Sequence, residues 1–182
     1  MSAIAPGRPN LTLPGADTIT EVFDLTATVC IEAPAATVWN YLVRIEDIPL
    51  WSRGIVSARS VTGRERGVGA ERVCQLVGGI TLTERWLAWN DGVSFTYEGH
   101  GLPGVRVARN TWTVEPHDTQ TILRSEAHVQ LRGGLLARLL DPIAKRQSRR
   151  MGRQALGAFK YLVETGRPPE DLSVRLPAPA AC

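Results

Sequence analysis

Apolar and polar residues alternate in the first patterned segment of the chain, Val22–Ile31. One face of this segment collects Phe23, Leu25, Ala27, Val29 and Ile31, whereas the other face is mainly polar. A period of two residues predicts a β-strand with one buried face.

Two short helices are predicted after this strand. Ala33-Pro34 ends the strand, and Pro34 suits the first turn of a helix, where a missing N–H costs nothing. Apolar residues with helical spacing follow at Val38, Trp39, Leu42 and Val43. A second helix is predicted from about Ile45 to Trp51, and Pro49 limits its length.

The middle of the chain predicts six further strands joined by short turns. The clearest turns are Gly78-Gly79 and Asn90-Asp91-Gly92. The predicted strands are Ile55–Thr62, Glu71–Val77, Ile80–Trp89, Val93–Glu98, Val105–Glu115 and Gln120–Val129. Connections this short favour an antiparallel sheet, because parallel strands need long crossovers.

One long helix is predicted after Gly133-Gly134 and up to Thr165. Its apolar stripe consists of Leu136, Leu140, Ile143, Met151, Ala155, Phe159 and Leu162. This spacing follows the helical period of 3.6 residues. Gly166 suits the C-terminal cap, and Pro142 predicts a break or kink in the first turns. The fold class is therefore α+β, in the order β-α-α-β6-α, with residues 19–166 as the domain and 1–18 and 167–182 as flexible tails.

Composition narrows the functional classes. The chain has 182 residues, 43% of them hydrophobic, with a net charge of only +3, which fits one globular domain and gives little reason to expect nucleic-acid binding. No apolar run approaches the ~20 residues of a membrane span, and we see no signal peptide. Three sparse cysteines argue against a disulfide framework and favour a cytoplasmic protein. The three histidines are scattered, so we expect neither a metal site nor a cofactor.

Several strings in this order resemble the START-like (SRPBCC, helix-grip or Bet v 1-like) superfamily, and within it the polyketide cyclase/dehydrase branch. They are IEAPAATVWNYLVRIEDIPLWS at Ile31–Ser52, GVGAERVCQL at Gly67–Leu76, LTERWLAWNDG at Leu82–Gly92, TWTVEPHDTQTILR at Thr111–Arg124 and ALGAFKYLVETG at Ala155–Gly166. The resemblance covers about Thr20 to Gly166.

The resemblance implies a curved sheet of about seven strands wrapped around the long C-terminal helix, with an internal cavity between them. The short helices and the loop around Gly99–Gly104 would form the rim of that cavity. Ligands of such folds are small and largely apolar, such as lipids, polyketides or aromatic metabolites. The same fold serves enzymes, carriers and receptors, so it does not fix the activity.

Strand parity predicts which side chains face the cavity. Two strands place Val93, Phe95, Tyr97, Leu123, Ser125, Ala127 and Val129 inward by their own pattern. The pattern leaves the facing of Ile80–Trp89 and Val105–Glu115 open. The resemblance favours Glu84 inward on the first of these, and Arg106, Ala108, Asn110, Trp112 and Val114 on the second. The strand before them then offers Val73, Gln75 and Val77.

Four residues are candidates for catalysis: Glu84, Arg53, Tyr97 and His100. An inward carboxylate at Glu84 is desolvated and suits a general acid or base, although a nearby arginine would make it a structural ion pair. The resemblance places Arg53 where related receptors hold a ligand-contacting lysine, and places His100 near a gating loop. Both residues also suit a plain solvated position. Candidates for ligand contact are Val73, Gln75, Phe95, Asn110, Trp112, Ser125 and Phe159.

Two functions follow from the resemblance. The first is an enzyme that folds a polyketide-like substrate and moves protons during cyclisation or dehydration. The second is a non-catalytic carrier of a lipid, quinone or isoprenoid. Basic residues on the last helix suit either weak contact with an anionic membrane or a solvated face; they are Arg138, Lys145, Arg146, Arg149, Arg150 and Arg153. Polar groups that converge in the cavity would favour the enzyme, and a uniformly apolar tunnel would favour the carrier.

Overall fold

A computed structural model describes residues 22–132 and 135–170 of the chain. Its elements are β1 (Val22–Ile31), α1 (Ala35–Leu42), a 3-10 turn (Ile48–Leu50), β2 (Ile55–Ser60), β3 (Glu71–Leu76), β4 (Ile80–Asn90), β5 (Ser94–His100), β6 (Val105–His117), β7 (Gln120–Leu131) and α2 (Leu135–Thr165). The predicted tail 1–18 and most of the tail 167–182 lie outside the described residues. Among the described residues, no helix combines the length and apolarity needed to cross a membrane.

The seven strands form one antiparallel sheet in the order β1-β7-β6-β5-β4-β3-β2. This is the predicted α+β helix-grip fold, in which the curved sheet packs against a long C-terminal helix. Two contacts fix the direction of α2 along β1: the Lys145 ammonium lies 5.5 Å from the centre of the Phe23 ring, and Lys160 Nζ donates to the Cys30 carbonyl at 2.9 Å. The first half of α2 therefore lies near the start of β1, and its second half lies near the end of β1.

The best-filled part of the core lies under the second half of α2. Phe159 is fully buried, and its ring meets Trp51 edge to face with 5.2 Å between the ring centres. Trp51 also contacts Trp112 at 6.0 Å, and Trp39 contacts Phe95 at 5.8 Å. Edge-to-face aromatic pairs contribute about 0.5–1.5 kcal/mol each beyond the burial of their area. The aromatic residues thus join α2 to the sheet and to the 3-10 turn.

The facing agrees with the prediction for Phe95 and Tyr97 on β5 and for β7. Val93 is a correction: it lies in the turn before β5 and is 45% exposed. On β4, where the pattern was ambiguous, Leu82, Glu84 and Trp86 are buried. On β6, Trp112 and Val114 are buried, as the resemblance favoured. Arg106 is a correction: it is exposed, because a register shift between Val105 and Val107 turns this end of β6 out of phase.

The facing of β3 was predicted wrongly. Arg72 and Cys74 are buried, whereas Gln75 and Val77 are exposed, and Val73 shares their outward side. The reason is the turn after the strand, which pairs Leu76 with Ile80. Every residue of β3 then shares a face with the β4 residue opposite, so that an inward Glu84 requires an inward Arg72.

A row of charged side chains crosses the outer face of the sheet. Neighbouring strands align Asp24, His128, Arg109, Glu98, Arg85 and Glu71 in register. Arg109 bonds Glu98 at 2.7 Å, Arg85 approaches Glu71 at 3.8 Å, and His128 contacts Asp24. Exposed pairs of this kind contribute about 0–1 kcal/mol each. The row identifies this face as the solvated one.

Three local expectations differ from the structure. The helix predicted over Ile45–Trp51 is only a single 3-10 turn. Of the break or kink predicted at Pro142, the break does not occur: α2 is one continuous helix, since the proline removes one N–H and the neighbouring turns remain helical. Cys30 is disulfide-bonded, which the argument from sparse cysteines did not anticipate, while Cys74 is a buried free thiol.

The β5–β6 connection depends on Gly101. Its φ is +110°, and a Cβ added there would lie 2.2 Å from the Thr81 carbonyl oxygen. Gly104, at the other end of the same loop, has φ +72° and no atom within 4 Å of an added Cβ. A side chain at Gly104 would therefore introduce backbone strain alone, whereas a side chain at Gly101 would add a steric clash.

We predict that Gly101→Ala lowers the free energy of unfolding more than Gly104→Ala does, by a further ~1–3 kcal/mol, because only the first substitution forces a clash with backbone. Urea denaturation of the two variants measures the difference. Equal losses would mean that the loop relaxes away from Thr81 without cost.

Candidate functional site

A buried ion pair lies on the concave face of the sheet. Arg72 of β3 and Glu84 of β4 are 7% and 4% exposed, and Arg72 Nε donates to Glu84 Oε2. The Cys74 thiol lies 3.6 Å from the same carboxylate oxygen. The guanidinium carbon lies 5.0 Å from the centre of the Trp86 ring and 4.8 Å from that of Tyr97. Two aromatic faces and one carboxylate thus surround the arginine charge.

The strand register and one glycine make this pair possible. Arg72 lies directly opposite Glu84, and Glu84 lies opposite Gly99 of β5. A Cβ at Gly99 would lie 3.2 Å from Leu82 Cδ1 and 3.4 Å from Glu84 Cγ. The missing side chain therefore leaves room for the Glu84 side chain to lie against the sheet.

Burial and the ion pair together shift the pKa values of the groups in this cluster. Burial opposes the charge of Arg72, but Glu84 and Tyr97 outweigh it and raise the pKa of Arg72 above its ordinary value. Burial, followed by the negative charge of Glu84, raises the pKa of the Cys74 thiol to about 12. Arg72 therefore stays a cation and Cys74 stays a neutral thiol at physiological pH.

A chain of hydrogen bonds crosses the same face of the sheet from β7 to Tyr97 of β5, whose ring lies beside the pair. Ser125 Oγ donates to Asn110 Oδ1 at 3.1 Å, and Asn110 Nδ2 donates to the Tyr97 hydroxyl oxygen at 3.2 Å. We call Ser125, Asn110 and Tyr97 the polar relay. Burial and the nearby Glu84 raise the pKa of Tyr97 to about 12, against the opposing effects of Arg72, Asn110 and Trp112. Tyr97 is therefore a neutral phenol with an O–H to donate.

The relay faces the less tightly filled half of the interior. Its three residues are only half-buried, as are Ala127 and Leu25 beside them. The next inward residues on the three strands of the relay are buried, as is Val29 further along β1; they are Phe95, Trp112 and Leu123. Leu25 lies near the start of β1, the end of that strand that Lys145 in the first half of α2 approaches.

Two indole N–H groups lack a protein acceptor. Trp51 Nε1 and Trp86 Nε1 are buried and make no hydrogen bond within the described part of the chain. A buried donor without a partner costs about 1–3 kcal/mol. Trp86 belongs to the ion-pair cluster, since Arg72 lies over its ring. The Trp86 N–H is therefore a second unused donor at the site, in addition to the Tyr97 O–H.

The structure brings together four of the predicted site residues, Glu84, Tyr97, Asn110 and Ser125. Phe95, Trp112 and Phe159 form aromatic core beside them. Gln75 does not join them, because it is exposed on the outer face, where its Oε1 accepts from Thr81 Oγ1 at 3.1 Å. Val73 lies on that outer side too.

Arg53 and His100 also lie outside the interior. The His100 side chain is 57% exposed and contacts Glu98, a member of the charged row, at 3.0 Å. Hydrogen bonds from Arg109 and His100 hold the pKa of Glu98 below its usual range. Arg53 is exposed and lines a separate cavity of about 540 Å³ between the start of β2 and the middle of α2. Neither residue reaches Glu84 from these positions.

Arg72 and Cys74 are the residues that sequence reasoning missed. The signal was present in the Gly78-Gly79 turn. A three-residue connection after Leu76 pairs Leu76 with Ile80, and counting outward from that pair places Arg72 opposite Glu84. No group of three metal-binding side chains comes together in the described ranges.

The seven-stranded antiparallel sheet and the long C-terminal helix packed against it define a protein of the helix-grip class. The chain matches the family described as "Polyketide cyclase / dehydrase and lipid transport" over residues 22–164, and it belongs to that family. None of the curated proteins compared with it gives a significant match.

Solved structures with the same fold are distant in sequence. An uncharacterised protein from Bacillus thuringiensis has a TM-score of 0.64 at 19% identity, with 78% of this chain and 98% of that one covered. Norcoclaurine synthase from Thalictrum flavum in complex with dopamine and hydroxybenzaldehyde gives 0.61 at 15%, with coverage of 90% and 96%. Ara h 8.0201 gives 0.60 at 17%, with coverage of 79% and 98%. At these identities the likeness establishes the fold alone.

We predict that Glu84→Gln lowers the free energy of unfolding by about 3–5 kcal/mol, because it leaves the Arg72 charge buried without a counter-charge. The matched control is Glu71→Gln, which removes the carboxylate beside exposed Arg85 and should cost less than about 1 kcal/mol. Urea denaturation compares them. A similar small loss in both variants would contradict a dry, closed pair.

We predict that the free energy of unfolding falls as pH rises from about 9 to about 12. The unfolded chain releases the Cys74 proton from about pH 9 and the Tyr97 proton from about pH 10, whereas the folded chain holds both to about pH 12. The folded state then binds more protons, so rising pH favours unfolding. Urea titrations at a series of pH values should show a shallower loss in Cys74→Ala, and an unchanged slope would show that the thiol does not contribute.

Proposed function

We propose that the protein binds a small, largely apolar molecule carrying a carbonyl or hydroxyl oxygen, between the concave face of the sheet and α2. We further propose that it acts on this molecule as a polyketide cyclase/dehydrase-like enzyme. The observation that carries the proposal is the convergence of the polar relay and the Arg72–Glu84 pair on Tyr97, within an otherwise apolar and aromatic interior. A few directed polar groups in an apolar pocket are the usual form of a small-molecule site.

Tyr97 is assigned the role of hydrogen-bond donor to a substrate carbonyl. The relay supports this role because Asn110 already donates to the hydroxyl oxygen, which leaves the O–H proton for the substrate. The raised pKa of Tyr97 keeps that proton in place at neutral pH. The Arg72 charge, 4.8 Å from the ring centre, favours the negative charge that develops on the carbonyl oxygen during bond formation.

Glu84 is assigned the role of proton acceptor. Arg72 and Cys74 both approach its Oε2 atom, so the proposal gives proton transfer to Oε1. The Trp86 N–H is a further donor for a ligand oxygen. The aromatic walls would hold a flexible substrate in a folded shape, which supplies much of the rate in a cyclisation. Arg53 and His100 have no part in this version of the mechanism.

The family and one structural neighbour are compatible with this assignment. The family description includes cyclases and dehydrases, and norcoclaurine synthase was solved with two small aromatic molecules. These are properties of other proteins and support the proposal only through the shared fold.

Tyr97→Phe tests the proposal. Binding is measured by quenching of tryptophan fluorescence with emodin, a flat hydroxylated polyketide, and turnover by mass spectrometry of a linear poly-β-ketone thioester. We predict that the variant loses about 100-fold in turnover but less than tenfold in emodin affinity, because the lost hydrogen bond matters most in the transition state. Tyr161→Phe, on the exposed side of α2, is the matched control and should change neither.

The outcomes separate enzyme from carrier. Wild-type turnover by Tyr97→Phe would remove Tyr97 from the mechanism. Tight binding by the wild type without any turnover would reject the enzyme and leave the carrier. The carrier has one observation of its own in its favour: Arg146, Arg149 and Arg153 are exposed along one helix, which suits contact with an anionic membrane during exchange. Lys145 is not part of that face, since it packs over Phe23, and the side chain of Arg138 lies outside the described residues.

A further inference from the structure

The cavity that Arg53 lines is separate from the interior site. It has a volume of about 540 Å³, within the usual range of small-molecule sites. Its lining includes Trp51, Arg53, Val77, Arg150, Met151 and Ala155. Trp51 forms the partition, because the same side chain lines the cavity and packs against Trp112 and Phe159 in the core.

The backbone holds one wall of this cavity in place. The Ile55 N–H donates to the Ser52 carbonyl at 3.0 Å, and the Val77 N–H donates to the Gly54 carbonyl at 3.1 Å. These bonds fix both ends of the turn that presents Arg53. The Met151 methyl group lies against Gly54 from the opposite wall, on α2. Arg53 and Arg150 thus lie on two elements that the fold brings together.

The charge of the lining has one sign. It contains two arginines and no acidic residue. Neither guanidinium has a carboxylate partner among the side chains that the structure describes, whereas Arg72, Arg85 and Arg109 all have one. Exposed Arg146, Arg149 and Arg153 add positive potential along the same helix. An anionic group entering the cavity would therefore meet two unused forks of N–H donors.

The rest of the lining suits an apolar chain. Trp51, Val77, Met151 and Ala155 supply apolar surface, and Val77 and Met151 are 65% and 49% exposed. Such large exposed apolar side chains beside unpaired arginines are the complement of a molecule with an acidic head and an apolar tail.

We propose that this cavity is a second binding site, specific for an anionic amphiphile whose carboxylate or phosphate head is held by Arg53 and Arg150 and whose tail lies on Trp51 and Met151. The site is distinct from the one proposed around Tyr97 and does not depend on it.

The experiment is isothermal titration of the full chain with decanoate, decyl phosphate and decanol, which share a tail and differ in the head group. We expect one or both anions to bind more tightly than decanol, and the preferred one identifies the head group. Arg53→Gln and Arg150→Gln should each weaken the anion about tenfold and leave decanol unchanged.

Arg149→Gln is the matched control, because it removes the same charge from the neighbouring position of α2 but does not line the cavity. It should change anion affinity less than twofold. Equal weakening of anion binding by Arg149→Gln and Arg150→Gln would show that only the overall positive charge of the helix matters, and it would overturn the inference. Failure of both anions to bind more tightly than decanol would overturn it as well.

Tyr97→Phe separates this inference from the proposed function. Anion binding that survives Tyr97→Phe but not Arg53→Gln supports a separate site. Anion binding that is lost in Tyr97→Phe and kept in both arginine variants would place the amphiphile in the interior, overturning the second site while leaving the interior site standing.

Discussion

The pairing of β3 with β4 is the constraint on which the interior depends. It places Arg72 opposite Glu84 on the concave face, where each charge would be costly to bury without the other. Tyr97, Trp86 and Cys74 all take their environment from that pair. A slip of β3 by one residue against β4 would turn Arg72 to solvent and leave Glu84, which β5 also holds in register, buried without its counter-charge.

The fold was largely predictable from the sequence. All seven strands were found within about two residues of their bounds, because turns rich in glycine, proline or asparagine separate them clearly. The long helix was equally clear from its stripe. The 3-10 turn at Ile48–Leu50 was not predicted, because Pro49 and a few buried apolar residues fit an α-helix and a 3-10 turn equally well.

The site was predictable only in part, for a physical reason. Facing on β5 and β7 follows from hydrophobicity, so Tyr97 and Ser125 were found. On β3 the inward residues are an arginine and a cysteine, while the outward ones include Val73 and Val77, so hydrophobicity pointed the wrong way. Burial of Arg72 is explained by its partner on the next strand, and only the hairpin register carries that information. Arg106 failed for a related reason, since a bulge changes parity without a mark in the pattern.

The charged row on the outer face also shapes the electric field of the whole molecule. It contains three acidic members, Asp24, Glu98 and Glu71, and three basic ones, so the charges along the row largely balance. The exposed arginines of α2, with few acidic neighbours along the helix, are not cancelled in this way. The protein is therefore a dipole with its positive end at α2. A negatively charged molecule diffusing nearby would be drawn to that helix before it touches the protein, and its association rate would fall as salt screens the attraction.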